Sequence, residues 1–204
     1  MASNLWSSAA GRDYPEAMIR ADDPTAESGP ARARALRLRP VRLGDEAAFR
    51  AAHEAMAADG FTFGLSLEPG QPWRDYVQAL QDHRAGISLP AGFVPATFLV
   101  ADVADEIVGR TSIRHKLNSF LAREGGHIGY GVLPQFRRRG FATEILRQSL
   151  VIACAIGVDQ VLVTCDDDNA GSVAVIERCG GRLESVIEIS PGRPLLRRYW
   201  FDFS

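Results

Sequence analysis

The sequence predicts one domain built of strands and helices, of the α/β or α+β class. Three observations predict it. Short apolar runs of strand length are interspersed with stretches whose apolar residues recur at helical spacing. Their order is β-α-α-β-β-β-α-β-α-β-β, which by itself allows either class. The chain has 204 residues, enough for one well-cored domain and too few for two.

The elements follow in order. Residues 1–35 are rich in Ala, Ser, Asp, Arg and Pro without periodicity and read as a mobile extension ahead of a domain over residues 36–204. Leu36–Val41 alternates apolar and polar and reads as the first strand. Asp45 is placed to cap a helix reaching about Ala58, with Phe49, Ala52 and Met56 on one face. Pro72 opens a second helix to about Arg84, carrying Trp73, Val77 and Leu80. Thr97–Ala101 and Ile107–Ile113 form an antiparallel pair around Ala104-Asp105. Residues 118–126 read as a loop and His127–Val132 as a strand. From Glu144 to about Ile156 the pattern is helical, with Ala142, Leu146, Leu150 and Cys154 as its core stripe. Gln160–Cys165 reads as a buried strand. Asn169 caps a helix that turns Val173, Ile176 and Cys179 inward, and Gly180-Gly181 ends it. Strands at about Arg182–Ile189 and Leu195–Phe203 flank Pro191-Gly192, a hairpin signal.

Bulk composition narrows the function. Apolar residues make up 46%, normal for a globular protein. Net charge is −2, so no global field favours nucleic acid or an anionic membrane. No basic start leads into an apolar segment and no run is long enough to span a bilayer, so neither a signal peptide nor a membrane helix is read. Cys154, Cys165 and Cys179 are odd in number and their spacing fits no zinc pattern. No histidine has a second ligand at matching spacing, so no metal site is expected. A reducing, cytoplasmic setting is expected.

Between the strand ending at Val132 and the following helix lies Leu133-Pro134-Gln135-Phe136-Arg137-Arg138-Arg139-Gly140-Phe141-Ala142-Thr143. First-turn N–H groups of a helix lack partners within it and carry the positive end of its dipole, which together suit a phosphate. Gly140 lets the backbone come close to such a ligand. Taken alone, the stretch reads equally well as an ordinary turn with solvated arginines. It is neither a Walker loop nor a dinucleotide fingerprint, since both glycine patterns are absent.

Arg137-x-x-Gly140-x-Ala142 resembles the Gln/Arg-x-x-Gly-x-Gly/Ala signature of the GNAT N-acetyltransferase superfamily, in the same strand–loop–helix context. Asn169-x-x-Ser172 followed by Gly180-Gly181 is similar to a second block of that family. Gly126-His127-Ile128-Gly129-Tyr130, Thr164-Cys165-Asp166-x-Asp168-Asn169 and Arg198-Tyr199-Trp200 resemble a bacterial subgroup of predicted acetyltransferases. The likeness spans about Leu36 to Phe203. It implies a GNAT-like acyl-CoA N-acyltransferase fold, an α+β mixed sheet with helices on both faces and splayed central parallel strands, His127–Val132 beside Val161–Cys165.

It implies acetyl-CoA as acyl donor and a primary amine, on a small molecule or a peptide, as acceptor. The loop amides of Arg138, Gly140, Phe141, Ala142 and Thr143 would hold the coenzyme diphosphate, with Arg137 and Arg139 adding charge. The backbone of Val132 and Leu133 would meet the pantetheine arm. Asn169 would contact that arm or tie the splayed strands, besides capping its helix, and Ser172 would reach toward the adenosine end. Many members carry a Tyr seven residues after this Asn as the acid for the departing thiolate; Ile176 stands there instead. Tyr130, Tyr199 or solvent are the substitutes. His127 and Glu124 are the candidate bases. Phe61, Phe63, Trp73 and Phe120 either line an acceptor pocket or belong to the core. The missing Tyr keeps open a coenzyme-binding module of regulatory or assembly role with weak or lost catalysis. Homodimers are common in the fold. Three arginines in one loop do not make a nucleic-acid face.

Overall fold

The computed structural model describes residues 35–203. The expected extension over residues 1–35 lies outside them apart from its last residue, as does Ser204. The elements are β1 (Arg37–Arg39), α1 (Glu46–Ala57), α2 (Trp73–Ala85), β2 (Ala96–Val103), β3 (Glu106–Arg114), β4 (Ile128–Val132), α3 (Phe141–Ala155), β5 (Gln160–Asp166), α4 (Ala170–Arg178), β6 (Arg182–Ile187) and β7 (Leu196–Asp202). The order matches the pattern in the sequence.

The strands fall into two antiparallel sheets. One runs β1-β2-β3-β4 and the other β5-β7-β6. No ladder joins β4 to β5; the molecule divides between them, as the resemblance implies. They meet at one residue. His127, the bend before β4, gives its C=O to Arg114 N–H of β3 (2.8 Å) and its own N–H to Leu162 O of β5 (2.7 Å). Gly126 makes this approach feasible. Its φ of 61° and ψ of −175° suit only glycine, and a Cβ there would lie 2.6 Å from Leu162 O.

Helices cover both faces. On one side, Leu146, Leu150 and Ala153 of α3 and Ile176 of α4 pack with Ile113, Ile128, Val161, Val163, Tyr199 and Phe201. On the other, Phe49 and Met56 of α1 and Trp73, Tyr76 and Val77 of α2 pack with Phe63, Phe98 and Val100. Phe49 is the hub, its ring centroid 5.1–5.9 Å from those of Phe63, Trp73, Tyr76 and Phe98. Each such side chain contributes about 1.5–3 kcal/mol by leaving water. Phe63 and Trp73 thus belong to the core, while Phe120 is 61% exposed.

Several details differ from the sequence reading. Asp45 sits at the N-cap of α1 without capping it, because Arg39 (2.7 and 2.9 Å) and Arg42 N–H (2.7 Å) claim its carboxylate. A turn of π-helix, Leu121–Gly125, interrupts the expected loop at 118–126; Asn118 Oδ1 accepts from Leu121 N–H (2.9 Å) at its start. Helix α3 begins at Phe141, directly after Gly140 in the left-handed region (φ 81°). Its buried face is therefore Phe141, Ile145, Leu146, Ser149, Leu150 and Ala153, with Ala142 and Cys154 at the margin. Ser149 is tolerated there because its hydroxyl donates to Ile145 O (2.7 Å) and can accept from the Thr111 hydroxyl (3.0 Å).

Candidate active site

Where β4 and β5 part, a groove of about 740 Å³ opens. Tyr130, Gly131 and Val132 form its floor, Arg138 and Gly140–Thr143 one end, and the first turns of α4 from Asn169 the far wall. Met56, Asp59 and Phe61 close it from the α1 side.

The open edge of β4 follows from its pairing. Arg114 N–H to His127 O and Leu133 N–H to Val108 O (3.0 Å) mark the two ends of the β3–β4 ladder. Alternation then turns the backbone groups of Tyr130 and Val132 away from β3 and toward the groove. Leu133 was expected to share this role, but its N–H is spent on Val108 O. Its side chain is core.

The loop presents amides. After the turn Pro134–Phe136, Arg138 (φ 62°) and Gly140 (φ 81°) both occupy the left-handed region. The helix's first backbone bond is Glu144 N–H to Gly140 O (3.2 Å). The N–H groups of Phe141, Ala142 and Thr143 therefore precede the ladder and, with that of Gly140, face the groove's end. Phe141's side chain, by contrast, is buried among Ile145 and Val132.

The three arginines have separate fates. Arg137 is turned back: its Nε donates to Val132 O (3.2 Å) and its Nη2 pairs with Asp59 (2.5 Å). It braces the loop against the end of α1. Arg139 lies 5.7 Å over the Phe136 ring. Arg138 lines the groove with no ion pair among the described residues.

On the far wall, Asn169 Oδ1 accepts from Ser172 N–H (3.0 Å), the expected cap. Ser172 Oγ in turn lies 3.0 Å from Tyr130 Oη. This contact ties β4 to α4 across the groove. Burial raises the Tyr130 pKa well above its ordinary value, while the Ser172 hydrogen bond opposes the shift. The phenol therefore stays protonated at neutral pH. Burial likewise pushes the Cys165 and Cys179 thiols up to about 11. Ile176 is fully buried, so the missing Tyr position faces the core and not the groove. Tyr199, the other proposed acid, is also in the core; its hydroxyl donates to Glu177 (3.0 Å) and accepts from Arg197 (3.4 Å).

Neither candidate base reaches the groove. His127 is 6% exposed, and its Nδ1 accepts from Leu162 N–H (2.9 Å). Burial, with the charge of Arg114 beside it, lowers its pKa to about 4. The imidazole is the side-chain half of the β4–β5 joint. Glu124 turns its carboxylate to Arg193 (3.5 Å) and Arg123 (3.9 Å), while its C=O accepts from Thr164 Oγ1 (2.7 Å). Among the described residues no cluster of His, Cys, Asp and Glu is placed to hold a metal ion, and no helix is long and apolar enough to cross a membrane.

What the sequence reading missed lies on the other face of β4. Gly129 and Gly131 leave that face without side chains. Phe61 and Met56 pack where a Cβ of Gly131 would stand, at 2.6 and 3.1 Å. Arg110, 4% exposed, stacks 4.4 Å from the Phe61 ring and donates to Thr62 O (2.7 Å) and Gly129 O (3.0 Å). Two arginines four apart on one face of a strand, Arg110 and Arg114, were the available signal.

The divided sheet and the amide-rimmed groove are traits of an acyl-CoA N-acyltransferase fold. The model of the acetyltransferase (GNAT) domain family matches residues 35–182, and the chain belongs to that family. A comparison with curated proteins finds no match. Among solved structures, the chain is similar to RimL, a ribosomal L7/L12 alpha-N-protein acetyltransferase in complex with coenzyme A (20% identity, TM-score 0.61, 83% of this chain and 94% of that one). It is also similar to Mycobacterium smegmatis RimJ in complex with CoA-disulfide (21%, 0.59, 82% and 81%). A third is spermidine N-acetyltransferase from Vibrio cholerae with CoA and spermine (16%, 0.59, 83% and 96%).

Proposed function

We propose that the protein transfers an acetyl group from acetyl-CoA to a primary amine by direct attack. The observation that carries this reading is the continuity of the groove. Unpaired amides at the start of α3 open onto the β4 edge that faces away from β3, at Tyr130 and at Val132, whose C=O already accepts from Arg137.

The chain's residues fit the coenzyme. The amides of Gly140 to Thr143, in the field of the helix N-terminus, suit a diphosphate, and the exposed guanidiniums of Arg138 and Arg139 add charge. Arg137 serves by bracing the loop. The Val132 edge can pair with the amides of an extended arm, and Asn169 and Ser172 wall its other side. When bound, the coenzyme supplies an activated acyl group and a thiolate that must be protonated on leaving. Tyr130 is the proton donor in the groove, its hydroxyl held by Ser172. The raised thiol pKa values of Cys165 and Cys179 argue against a cysteine nucleophile. With His127 and Glu124 both engaged elsewhere, the amine loses its proton to solvent.

The test combines calorimetry with coenzyme A and an assay of thiol release from acetyl-CoA over a panel of amines. Micromolar coenzyme binding with amine-dependent release is expected. Binding without turnover on any amine would instead assign a coenzyme-binding module. Absence of binding by folded protein would remove the functional reading.

A further inference from the structure

β3 carries two arginines on one face, Arg110 and Arg114, and both converge on Gly129. A Cβ there would stand 3.5 Å from Arg114 Nη1, 3.7 Å from its Nη2 and 3.9 Å from Arg110 Nη1. This is the glycine face of β4, where the strand's backbone is half-buried and no side chain of its own intervenes.

The partners of these guanidiniums are all neutral. Arg110 donates to Thr62 O and Gly129 O. Arg114 Nη1 donates to Gly125 O (3.0 Å) and Gly126 O (3.3 Å). Neither makes an ion pair with a carboxylate among the described residues, although nine other arginines do. Glu124, the adjacent carboxylate in sequence, is held by Arg193 and Arg123. Arg110 Nε is buried with no hydrogen-bond partner. Burial, with the like charge of Arg114, lowers the Arg110 pKa to about 9.

Buried charge is costly unless an opposite charge meets it. Here a deficit of negative charge sits beside the strand that would present the acyl group. We propose that the acceptor carries a carboxylate near its amine, and that Arg114, backed by the field of Arg110, receives it beside Gly129. Nη2 of Arg114 engages no acceptor among the described residues, and the guanidinium fork matches a carboxylate in shape. Arg114 is the contact; Arg110 is a positioning residue that holds Thr62 and Gly129 while adding charge. The inference rests on the acetyltransferase reading above and adds the class of acceptor. Two sources share this chemistry, a free amino acid and a peptide whose N-terminal residue is acidic. Polycationic acceptors are disfavoured by the same field.

The experiment pairs acceptors that differ only in charge: glutamate against its diamide, and peptides beginning with Asp against those beginning with Asn, with spermidine as a cationic control. In parallel, N-acetylglutamate and its diamide are titrated calorimetrically into protein loaded with coenzyme A. The acid of one pair is expected to be favoured about 10-fold or more in kcat/KM or in Kd. Which pair responds identifies the source. Arg114→Gln should abolish the preference and Arg114→Lys retain part of it, with the acetyl-CoA KM unchanged within about two-fold. Equal use of acid and amide by the unmodified protein overturns the proposal, whether or not the variants fold. So does failure of both products to bind while coenzyme A binds and no acid acceptor is used. Loss of coenzyme binding itself would remove the acetyltransferase reading as well.

Discussion

At the scale of single residues, the groove depends on side chains whose roles come from their surroundings. Tyr130 is the clearest. Its hydroxyl meets Ser172 across the divide, and burial keeps it protonated. Tyr130→Phe should lower kcat by about 10²-fold, the usual span for a lost proton donor, with little change in the acetyl-CoA KM. Steady-state kinetics will check this; an unchanged kcat would assign the proton to solvent. His127 shows how context overrides type. A strand histidine beside the expected acyl site reads as a base, yet the fold uses its Nδ1 as an acceptor for Leu162 N–H. The consequence is a pH effect on stability. The folded pKa, about 4, lies below the ordinary value of 6.5, so the unfolded chain binds the extra proton. This part of the stability is full above pH 6.5 and declines as pH falls toward 4. His127→Asn, which keeps an acceptor but cannot titrate, should flatten that decline in denaturant titrations. An identical acid limb would show that the joint does not titrate.

At the scale of elements, most of the order was legible. Strand-length apolar runs, Asn169 as a cap and the loop into α3 all stand where periodicity and turn chemistry put them. What was not legible depended on partners distant in sequence. The start of α3 moved to Phe141 because the left-handed Gly140 sets the helix going at once, which rotates its buried face. Asp45 lost its capping role to Arg39. Val132 and Leu133 are indistinguishable in sequence as groove-facing backbone; the β3 register alone separates them. The paired arginines of β3 carried no motif, and only the fold brings them to Gly129. The joint between the sheets offers a direct check. Gly126→Ala places a methyl against Leu162 O and forces a backbone conformation reserved for glycine. A loss on the order of 3 kcal/mol is expected in chemical denaturation. A loss below about 0.5 kcal/mol would mean that the joint bends elsewhere.

At the scale of the whole molecule, two antiparallel sheets with helices on both faces are joined along one narrow seam, and the groove is the space they leave. The Arg137–Asp59 pair runs across the mouth of that space, coupling the loop that would hold phosphate to the end of α1, which borders the groove. An arriving polyphosphate would compete with Asp59 for the same guanidinium. Relaxing that brace would free the segment through Phe61, which covers Gly131. Donor occupancy would then act as a latch on acceptor entry, and the prediction is that the two substrates add in a fixed sequence, donor first. Product-inhibition patterns will read this out. Asp59→Asn, which weakens the latch, should move the kinetics toward random addition, and a random pattern in the unmodified protein would uncouple the two ends of the groove.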